Sequence, residues 1–187
     1  MKLKICGVSD ATFACAAAAR GVDYLGFIFH VRSPRAVDSS QAGEIVRRVK
    51  AEKTEKRPRL VGVFVGQTPE EIVEIMREVG LDIVQLHRRA SEDDVAKLKA
   101  AGYEVWTLAG GAVGDGLLFD SSHGDGDTAF HRGSYLSILA GGIGVANLAE
   151  AVAYGSDVLD VNSSLETTPG KKSLRLLDEF LIAFGRA

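Results

Sequence analysis

Short apolar runs alternate with amphipathic segments along nearly the whole chain. The runs have the composition of buried strands, and the segments between them carry helix-start and helix-stop signals. The predicted strands span residues 3–6, 24–29, 60–65, 83–86, 104–108, 116–119, 137–139 and 158–161, and the predicted helices span 12–20, 39–53, 69–79, 92–101, 145–153 and 172–186. This alternation is typical of a parallel sheet covered by helices. Eight such units favour an α/β fold of the closed (β/α)8 TIM barrel type, with an open doubly wound sheet as the alternative.

The spacing of the later strands indicates a compact barrel. The chain has 187 residues, whereas a barrel of this kind usually has at least about 200. Residues 108–116 leave no room for a helix after the fifth strand, and residues 127–135 leave room for only a turn or two after the sixth. We therefore expect one domain over residues 1–187, with helices reduced or missing on that side. An apolar strand face exposed there would favour association with a second copy, as a homodimer.

The net charge, the apolar runs and the cysteine count argue against several classes of function. The formal net charge is −3, so bulk electrostatics do not favour binding to nucleic acid or to an anionic membrane surface. No apolar run approaches the roughly 18 residues that span a bilayer. The two cysteines, Cys6 and Cys15, are too few for a disulfide framework or a zinc site. These features predict a soluble cytoplasmic protein in a reducing compartment.

Two strand ends carry candidate chemistry. Lys4-Ile5-Cys6-Gly7 places a thiol where the first strand ends, just ahead of a helix. Leu139-Ala140-Gly141-Gly142 places a bare backbone at the end of a late strand, where a phosphate group can approach closely. In a parallel barrel these strand ends meet at one rim, which predicts a site for a phosphorylated metabolite.

These stretches belong to a longer ordered set of motifs. In chain order the set reads Lys4-Ile5-Cys6-Gly7, Gly26-Phe27-Ile28-Phe29, Ser33-Pro34-Arg35, Val61-Gly62-Val63-Phe64, Val84-Gln85-Leu86-His87, Leu118-Phe119-Asp120, Leu139-Ala140-Gly141-Gly142 and Asp160-Val161-Asn162-Ser163-Ser164. Over nearly the whole chain, the set resembles the phosphoribosylanthranilate isomerase family. The resemblance implies a (β/α) barrel of tryptophan biosynthesis that works without cofactor or metal. The implied substrate is a small phosphorylated aminosugar, converted from aminoaldose to aminoketose by an Amadori rearrangement.

The rearrangement needs a general acid that opens the ribose ring and a general base that removes a proton from the sugar C2. The resemblance assigns the base to Cys6 and the acid to Asp120. A thiol is a weak base at neutral pH, so a positive field must help to form the thiolate. The helix that starts near Ser9 or Asp10 is one source of that field. From the residues alone, Cys6 could also be a small buried residue that fills the barrel interior, and Asp120 could be a loop or capping carboxylate.

The resemblance places the phosphate between the last two strand ends. Gly141 and Gly142 follow the seventh strand, and Ser163 and Ser164 follow the eighth. Barrels commonly bind phosphate between these two loops, although the glycine pair also fits an ordinary turn. Leu165 stands where the family usually has glycine, and we expect its side chain to crowd the approach of the phosphate.

Three more residues are implied as substrate contacts. Arg35 matches the family arginine that binds the anthranilate carboxylate, a role that suits a planar guanidinium. Asp160 matches an aspartate near the substrate, but it could equally pair with Lys4, which shares the strand parity of Cys6 and would need a carboxylate if buried. His87 lies at the same rim, where a structural hydrogen-bonding role is equally open.

The segment after Asp120 departs from the family pattern. It carries His123, Asp125 and Asp127, and added negative charge is unfavourable near a phosphate and a carboxylate. Two alternatives therefore stay open. One is a related sugar-phosphate isomerase or epimerase with an altered substrate, and the other is a paralogue that binds a phosphorylated ligand without turnover. A Schiff-base aldolase is less favoured, because Lys4 lies too early in its strand to reach the rim easily.

Overall fold

A computed structural model of the chain describes residues 1–120 and 134–185. Eight parallel strands form a closed barrel in which each strand pairs with its neighbours in sequence, and the first pairs with the eighth. The strands are β1 (Lys2–Ile5), β2 (Tyr24–Ile28), β3 (Arg59–Phe64), β4 (Ile83–Leu86), β5 (Glu104–Leu108), β6 (Gly116–Asp120), β7 (Leu136–Ala140) and β8 (Val158–Val161). The barrel is therefore closed, and the open doubly wound sheet is excluded.

Six α-helices are present in the described part of the chain: α1 (Ala11–Ala19), α2 (Ser39–Ala51), α3 (Pro69–Val79), α4 (Glu92–Ala100), α5 (Leu148–Ala153) and α6 (Leu174–Phe184). A 3₁₀ turn over Val145–Asn147 precedes α5. The start of α3 follows directly from its sequence, because Thr68 and Glu71 form a capping box around a proline in the first turn. Among the described residues, no helix is long and apolar enough to cross a membrane.

The predicted start of the last helix is wrong. Instead of beginning at Lys172, α6 begins at Leu174, where the Ser173 hydroxyl caps it by accepting from the amide of Leu176. Lys171–Lys172 forms a short strand, β10, antiparallel to β9 (Glu166–Thr168). Gly170 has a φ of 85° in the turn between them, a backbone conformation that favours glycine. The two short strands and this turn are called the rim hairpin below.

Residues 109–115 connect β5 directly to β6, and all of them are described and lie outside any helix. The connection from β6 to β7 lies outside the described residues. The outward side chains of these two strands are nevertheless covered: Val105 and Thr107 are fully buried, and Leu117 and Phe119 are each 8% exposed. The expectation of an exposed apolar face here is therefore wrong for these two strands.

Inward side chains fill the barrel in layers. An apolar cluster around Trp106 occupies the lower part, where its ring packs edge-on against Tyr24 with the centroids 5.0 Å apart. Gly116 lies beside Trp106, and a Cβ there would come within 2.5 Å of the indole. Polar inward residues come later along the strands, and they form the floor of the site at the carboxyl-terminal rim.

Candidate active site

A cavity of about 450 Å³ opens at the carboxyl ends of the strands, a volume suited to a small metabolite. The predicted site residues that line it are Cys6, Arg35, His87, Asp120, Gly141, Gly142, Asp160 and Ser163. The remaining wall consists of Ile28, His30, Ser33, Val63, Val65, Gln85, Ala140 and Asn162. Ser164 instead ties two loops together, because its hydroxyl donates to the Ile143 carbonyl at 2.5 Å. The barrel thus brings nearly all of the predicted set to one rim.

Cys6 lies against a buried ion pair. The ammonium of Lys4 is fully buried and lies 2.6 Å from Oδ2 of Asp160, so the pairing considered from the sequence is present. Burial lowers the pKa of Lys4, but the Asp160 carboxylate and the Cys6 sulfur raise it by more. The contact with Asp160 therefore favours the charged form of Lys4 next to the thiol.

The thiol itself is only 6% exposed. Burial raises the pKa of Cys6 above its ordinary value, and the Asp160 carboxylate adds to this, while Lys4 is the main group that opposes it and Lys172 also opposes it. The positive charge that favours the thiolate thus comes from inside the barrel, a source that the sequence analysis missed when it considered the start of α1. Burial thus favours the protonated thiol of Cys6, and the Lys4 ammonium beside it favours the thiolate.

Gly26 makes room for this arrangement. A Cβ at Gly26 would lie 3.0 Å from the Cys6 sulfur and 3.2 Å from Cε of Lys4. Only a residue without a side chain leaves both groups in place, because real Cβ atoms rarely approach neighbours this closely. The glycine in the second strand is therefore part of the site, although it contributes no functional group.

Asp120 ends β6 on another wall of the cavity. Its side chain is 9% exposed, and Oδ2 lies 3.6 Å from Nε2 of His87, which follows β4. This separation is an ion-pair distance when the imidazole is protonated, and it is too long for a direct hydrogen bond. Asp120 is therefore a mostly buried carboxyl group with a titratable neighbour.

Two buried oxygen acceptors on the cavity floor have no hydrogen-bond partner among the described residues. They are Oε1 of Gln85, a residue that is 1% exposed, and Oδ1 of Asp160, a residue that is 7% exposed. Leaving a buried acceptor unpaired costs about 1–3 kcal/mol, so a ligand with hydroxyl donors would bind well here. The sequence analysis did not assign Gln85, although its inward parity with His87 in an apolar strand was a usable signal.

The glycine pair after β7 provides an open stretch of backbone. Gly141 and Gly142 have φ values of 98° and 61°, and a Cβ at Gly142 would meet no atom within 4 Å. Ser163 begins a 3₁₀ turn, Ser163–Leu165, that faces the pair from the end of β8. Backbone amides at two adjacent loops are a typical setting for a phosphate group.

Arg35 reaches the cavity but already binds a carboxylate. Its Nε and Nη2 donate to Oε1 and Oε2 of Glu166, both at 2.8 Å. Lys172 donates to Oε1 of the same residue at 2.8 Å. Neither Glu166 nor Lys172 was assigned from the sequence. Within residues 1–120 and 134–185, no group of three or more His, Cys, Asp or Glu side chains is placed to hold a metal ion.

Comparison with known proteins identifies the family. The family model described as N-(5'phosphoribosyl)anthranilate (PRA) isomerase matches residues 3–183. The chain belongs to this family. A Campylobacter jejuni protein named N-(5'-phosphoribosyl)anthranilate isomerase is 35% identical over 198 residues, which cover 97% of each chain.

Solved phosphoribosylanthranilate isomerases share the fold. The structure of the Thermus thermophilus enzyme matches with a TM-score of 0.83 and 29% identity, covering 99% of this chain and 98% of that one. A dimeric isomerase from Thermotoga maritima, studied as monomers, matches at 0.81 and 26%, covering 98% and 97%. An isomerase in complex with reduced 1-(o-carboxyphenylamino)-1-deoxyribulose 5-phosphate matches at 0.82 and 26%, covering 99% of both chains. The predicted barrel and the family resemblance are confirmed.

The two departures from the phosphoribosylanthranilate isomerase pattern have different outcomes. The segment with His123, Asp125 and Asp127 lies outside the described residues. Leu165 is described, and its side chain is 1% exposed within the main apolar core, outside the lining of the cavity. The expectation that Leu165 would crowd the phosphate is therefore wrong, because the 3₁₀ turn directs this side chain into the protein.

Proposed function

We propose that this protein converts N-(5-phosphoribosyl)anthranilate to 1-(2-carboxyphenylamino)-1-deoxyribulose 5-phosphate, the Amadori step of tryptophan biosynthesis. It acts as an intramolecular aldose–ketose isomerase. The observation that carries the proposal is a single cavity in a member of this family that brings together Cys6, Asp120, Arg35 and the Gly141-Gly142 backbone. A thiol base, a carboxyl acid, a carboxylate-binding cation and a phosphate-binding backbone are the groups that the reaction uses.

Asp120 acts first, as the general acid. It gives its proton to the ring oxygen of the ribose, the bond between C1 and that oxygen breaks, and the lone pair of the aniline nitrogen forms the iminium ion. Burial of the Asp120 side chain at the rim keeps bulk water from replacing it as the donor. His87, at 3.6 Å, is placed to influence the charge that Asp120 carries afterwards.

Cys6 then acts as the general base. Its thiolate removes the proton from C2, and the electrons of that bond move through C1 to neutralise the iminium nitrogen. The resulting enolamine tautomerises to the aminoketose. Lys4 supports this step as a positioning residue, because its buried ammonium stabilises the thiolate without touching the substrate.

The ends of the substrate meet complementary groups. The amides around Gly141, Gly142 and Ser163 receive the phosphate, and Arg35 receives the anthranilate carboxylate. The sugar hydroxyls between them donate to the unpaired oxygens of Gln85 and Asp160. This assignment gives every unpaired polar group of the cavity floor a partner of the right kind.

A fluorescence assay with freshly generated phosphoribosylanthranilate tests the proposal, since the anthranilate fluorescence is lost on rearrangement. We expect turnover by the wild type and a loss of at least about a hundredfold in kcat for Cys6→Ala and for Asp120→Asn, as for removal of a general base or acid. Cys15→Ala is the matched control, because Cys15 lies half-buried on α1 outside the cavity. A wild type that binds the substrate without turnover supports the binding-only alternative, and no binding at all would refute the proposed substrate.

We also propose that the protein works in the cytoplasm as a homodimer. Free thiols at Cys6 and Cys15 fit a reducing compartment. The dimeric Thermotoga relative is the precedent for self-association, and the apolar side chains of Val145, Val152 and Ile182, which are exposed, are candidates for the contact. Sedimentation velocity over a range of concentrations, with Val152→Glu as the disrupting variant, tests this. A wild type that stays monomeric throughout contradicts the dimer.

A further inference from the structure

Glu166 binds one edge of the Arg35 guanidinium and leaves the other edge available to a ligand in the cavity. The bidentate contact uses Nε and Nη2, whereas Nη1 makes no hydrogen bond to any residue within 1–120 or 134–185. The Glu166 side chain is 3% exposed, so an incoming ligand cannot displace it without opening the protein. The Arg35 side chain keeps 20% exposure and lines the cavity. A substrate carboxylate would therefore add to the second edge of a guanidinium that is already held.

The network also keeps a net positive charge. Burial raises the pKa of Glu166, but hydrogen bonds from Arg35 and Lys172 lower it by more, so Glu166 is a carboxylate at neutral pH. Burial lowers the pKa of Lys172, and Glu166 opposes that shift. With both cations charged, two cations and one carboxylate leave a formal charge of about +1 at this wall, which suits an anion. Glu166 thus orients Arg35 without cancelling the electrostatic attraction of this wall for an anionic ligand.

The rim hairpin fixes the position of this carboxylate. A Cβ at Gly170, in its turn, would lie 2.4 Å from the carbonyl oxygen of Pro34, so the turn packs directly on the loop that carries Arg35. At the base of the hairpin, Lys172 donates to the carbonyl and to Oδ1 of Asn162, at 2.9 and 2.7 Å. The hairpin is therefore anchored both to the loop after β2 and to the loop after β8.

The stem of Arg35 has little freedom either. It crosses Gly7, where a Cβ would lie 2.6 Å from Cδ of Arg35 and where φ is 69°. Gly7 directly follows Cys6, so the path of the arginine runs beside the proposed base. With the stem confined by Gly7 and one guanidinium edge confined by Glu166, the direction of the free edge is set before any ligand binds.

We propose that Glu166 is a positioning residue that holds the free edge of Arg35 toward the cavity and thereby makes the enzyme select substrates whose aromatic amine carries a carboxylate. This inference rests on the proposed function, in which Arg35 binds that carboxylate. The rim hairpin is then a specificity element, and its effect is separate from the acid and base steps.

Two inert probes test the selectivity directly. One is reduced 1-(o-carboxyphenylamino)-1-deoxyribulose 5-phosphate, and the other is its phenylamino counterpart, which lacks the carboxylate. We expect the wild type to prefer the carboxylated probe by at least about tenfold, the contribution of a charge-assisted hydrogen-bonded pair. In Glu166→Gln this preference falls to the level of Arg35→Met, while affinity for the phenylamino probe changes by less than about threefold, since the other contacts remain.

The variants separate positioning from simple structural support. The double variant Glu166→Gln/Arg35→Met should show no further loss of preference, because Glu166 acts only through Arg35. Glu179→Gln removes an exposed ion pair with Arg175 on α6 and is the matched control with unchanged binding. Should Glu166→Gln fail to fold, Glu166→Asp keeps the buried charge but withdraws the carboxylate by one methylene, and it should lose the preference too.

Each other result overturns the proposal. A preference that survives in Glu166→Gln and Glu166→Asp shows that Arg35 does not need Glu166. An equal loss of affinity for both probes shows that Glu166 supports the fold only. A wild type that binds neither probe refutes the proposed function itself. A wild type that binds both probes without preference refutes only the role of Arg35, so the two failures can be told apart.

Discussion

The two groups that we propose to transfer protons in this cavity have opposite surroundings. On the base side, Cys6 lies at the barrel interior beside a fully buried ammonium and the carboxylate that neutralises it. On the acid side, Asp120 lies at the rim, and His87 at 3.6 Å is the titratable neighbour that the structure places beside it. A thiol needs a strong local cation to act as a base, whereas a carboxyl group needs mainly seclusion from water to keep a proton. The two sides therefore differ because the thiol requires a nearby positive charge, whereas the carboxyl group requires the exclusion of water.

The largest expected effect comes from removing the cation on the base side. Lys4→Met leaves the Asp160 carboxylate buried without its partner, which should cost about 3–5 kcal/mol of stability. Because the thiolate also loses its stabilising charge, kcat should fall by at least about a hundredfold. Thermal unfolding and the fluorescence assay measure the two losses separately.

A double variant distinguishes the two roles of Lys4. Lys4→Met/Asp160→Leu removes both buried charges, so most of the lost stability should return while activity stays low. Recovery of activity together with stability would show that Lys4 matters only for the fold. In that case Cys6 and Asp120 would both be buried groups, and the reactivity of Cys6 would not depend on the charge of Lys4.

The pH dependence of kcat/KM gives an effect of intermediate size. The proposed mechanism needs a protonated Asp120 and a deprotonated Cys6, so the active pair carries one proton in total. Two protons leave such a pair in two macroscopic steps, and the pair carries one proton between those steps. The rate should therefore be flat between those steps and fall about tenfold per pH unit above the second, which lies on the alkaline side because burial raises the pKa of Cys6. Lys4 lowers the pKa of Cys6, so this alkaline limb should move to higher pH in Lys4→Met.

A pH profile of kcat/KM for the wild type and Lys4→Met is the required measurement. A wild-type rate that climbs steadily from pH 7 to pH 9 would mean that thiolate formation alone limits the reaction. A fall that begins below about pH 8 would mean that the thiol is already ionised at rest, contrary to its burial.

The smallest effect is expected on the acid side. His87→Gln keeps a polar side chain of similar reach but removes the titratable imidazole, and Asp120 keeps its burial. We expect kcat to fall by less than about tenfold with KM nearly unchanged, since the proposed effect of His87 is on the charge of Asp120. Steady-state kinetics decide this. A loss as large as that of Asp120→Asn would make His87 a proton donor in its own right and remove the contrast between the two sides.

The barrel was predictable because each strand has its own local signal. The apolar runs that predict β4, β5 and β8 match the observed bounds, and the α3 capping box is visible in four residues of sequence. Strand parity placed Lys4 inward, and the need of a buried lysine for a carboxylate left Asp160 open as its partner, a pairing that is present in the structure. Local periodicity is sufficient where a residue's environment is set by its own strand.

The rest of the site depends on contacts that no local pattern encodes. Arg35 and Glu166 are 131 positions apart, and only the closed barrel brings the rim hairpin over the loop after β2. For this reason the local pattern predicted helix at Lys172, which lies in a short strand, and Leu165 was predicted to obstruct the phosphate, although its side chain is in the core. The spacing of the strands along the sequence shows which residues lie at the same rim of the barrel, but it does not show which of their side chains contact one another.

The Lys4–Asp160 pair has a consequence for the order of assembly. In the register of the barrel, Lys4 lies directly opposite Asp160, and their strands are the first and the last. Asp160 is synthesised 156 residues after Lys4, so a nascent chain without β8 lacks the carboxylate that pairs with this buried lysine. The pairing of β1 with β8 that closes the barrel therefore also assembles the ion pair beside the proposed base, Cys6, and we expect a chain interrupted before β8 to be inactive.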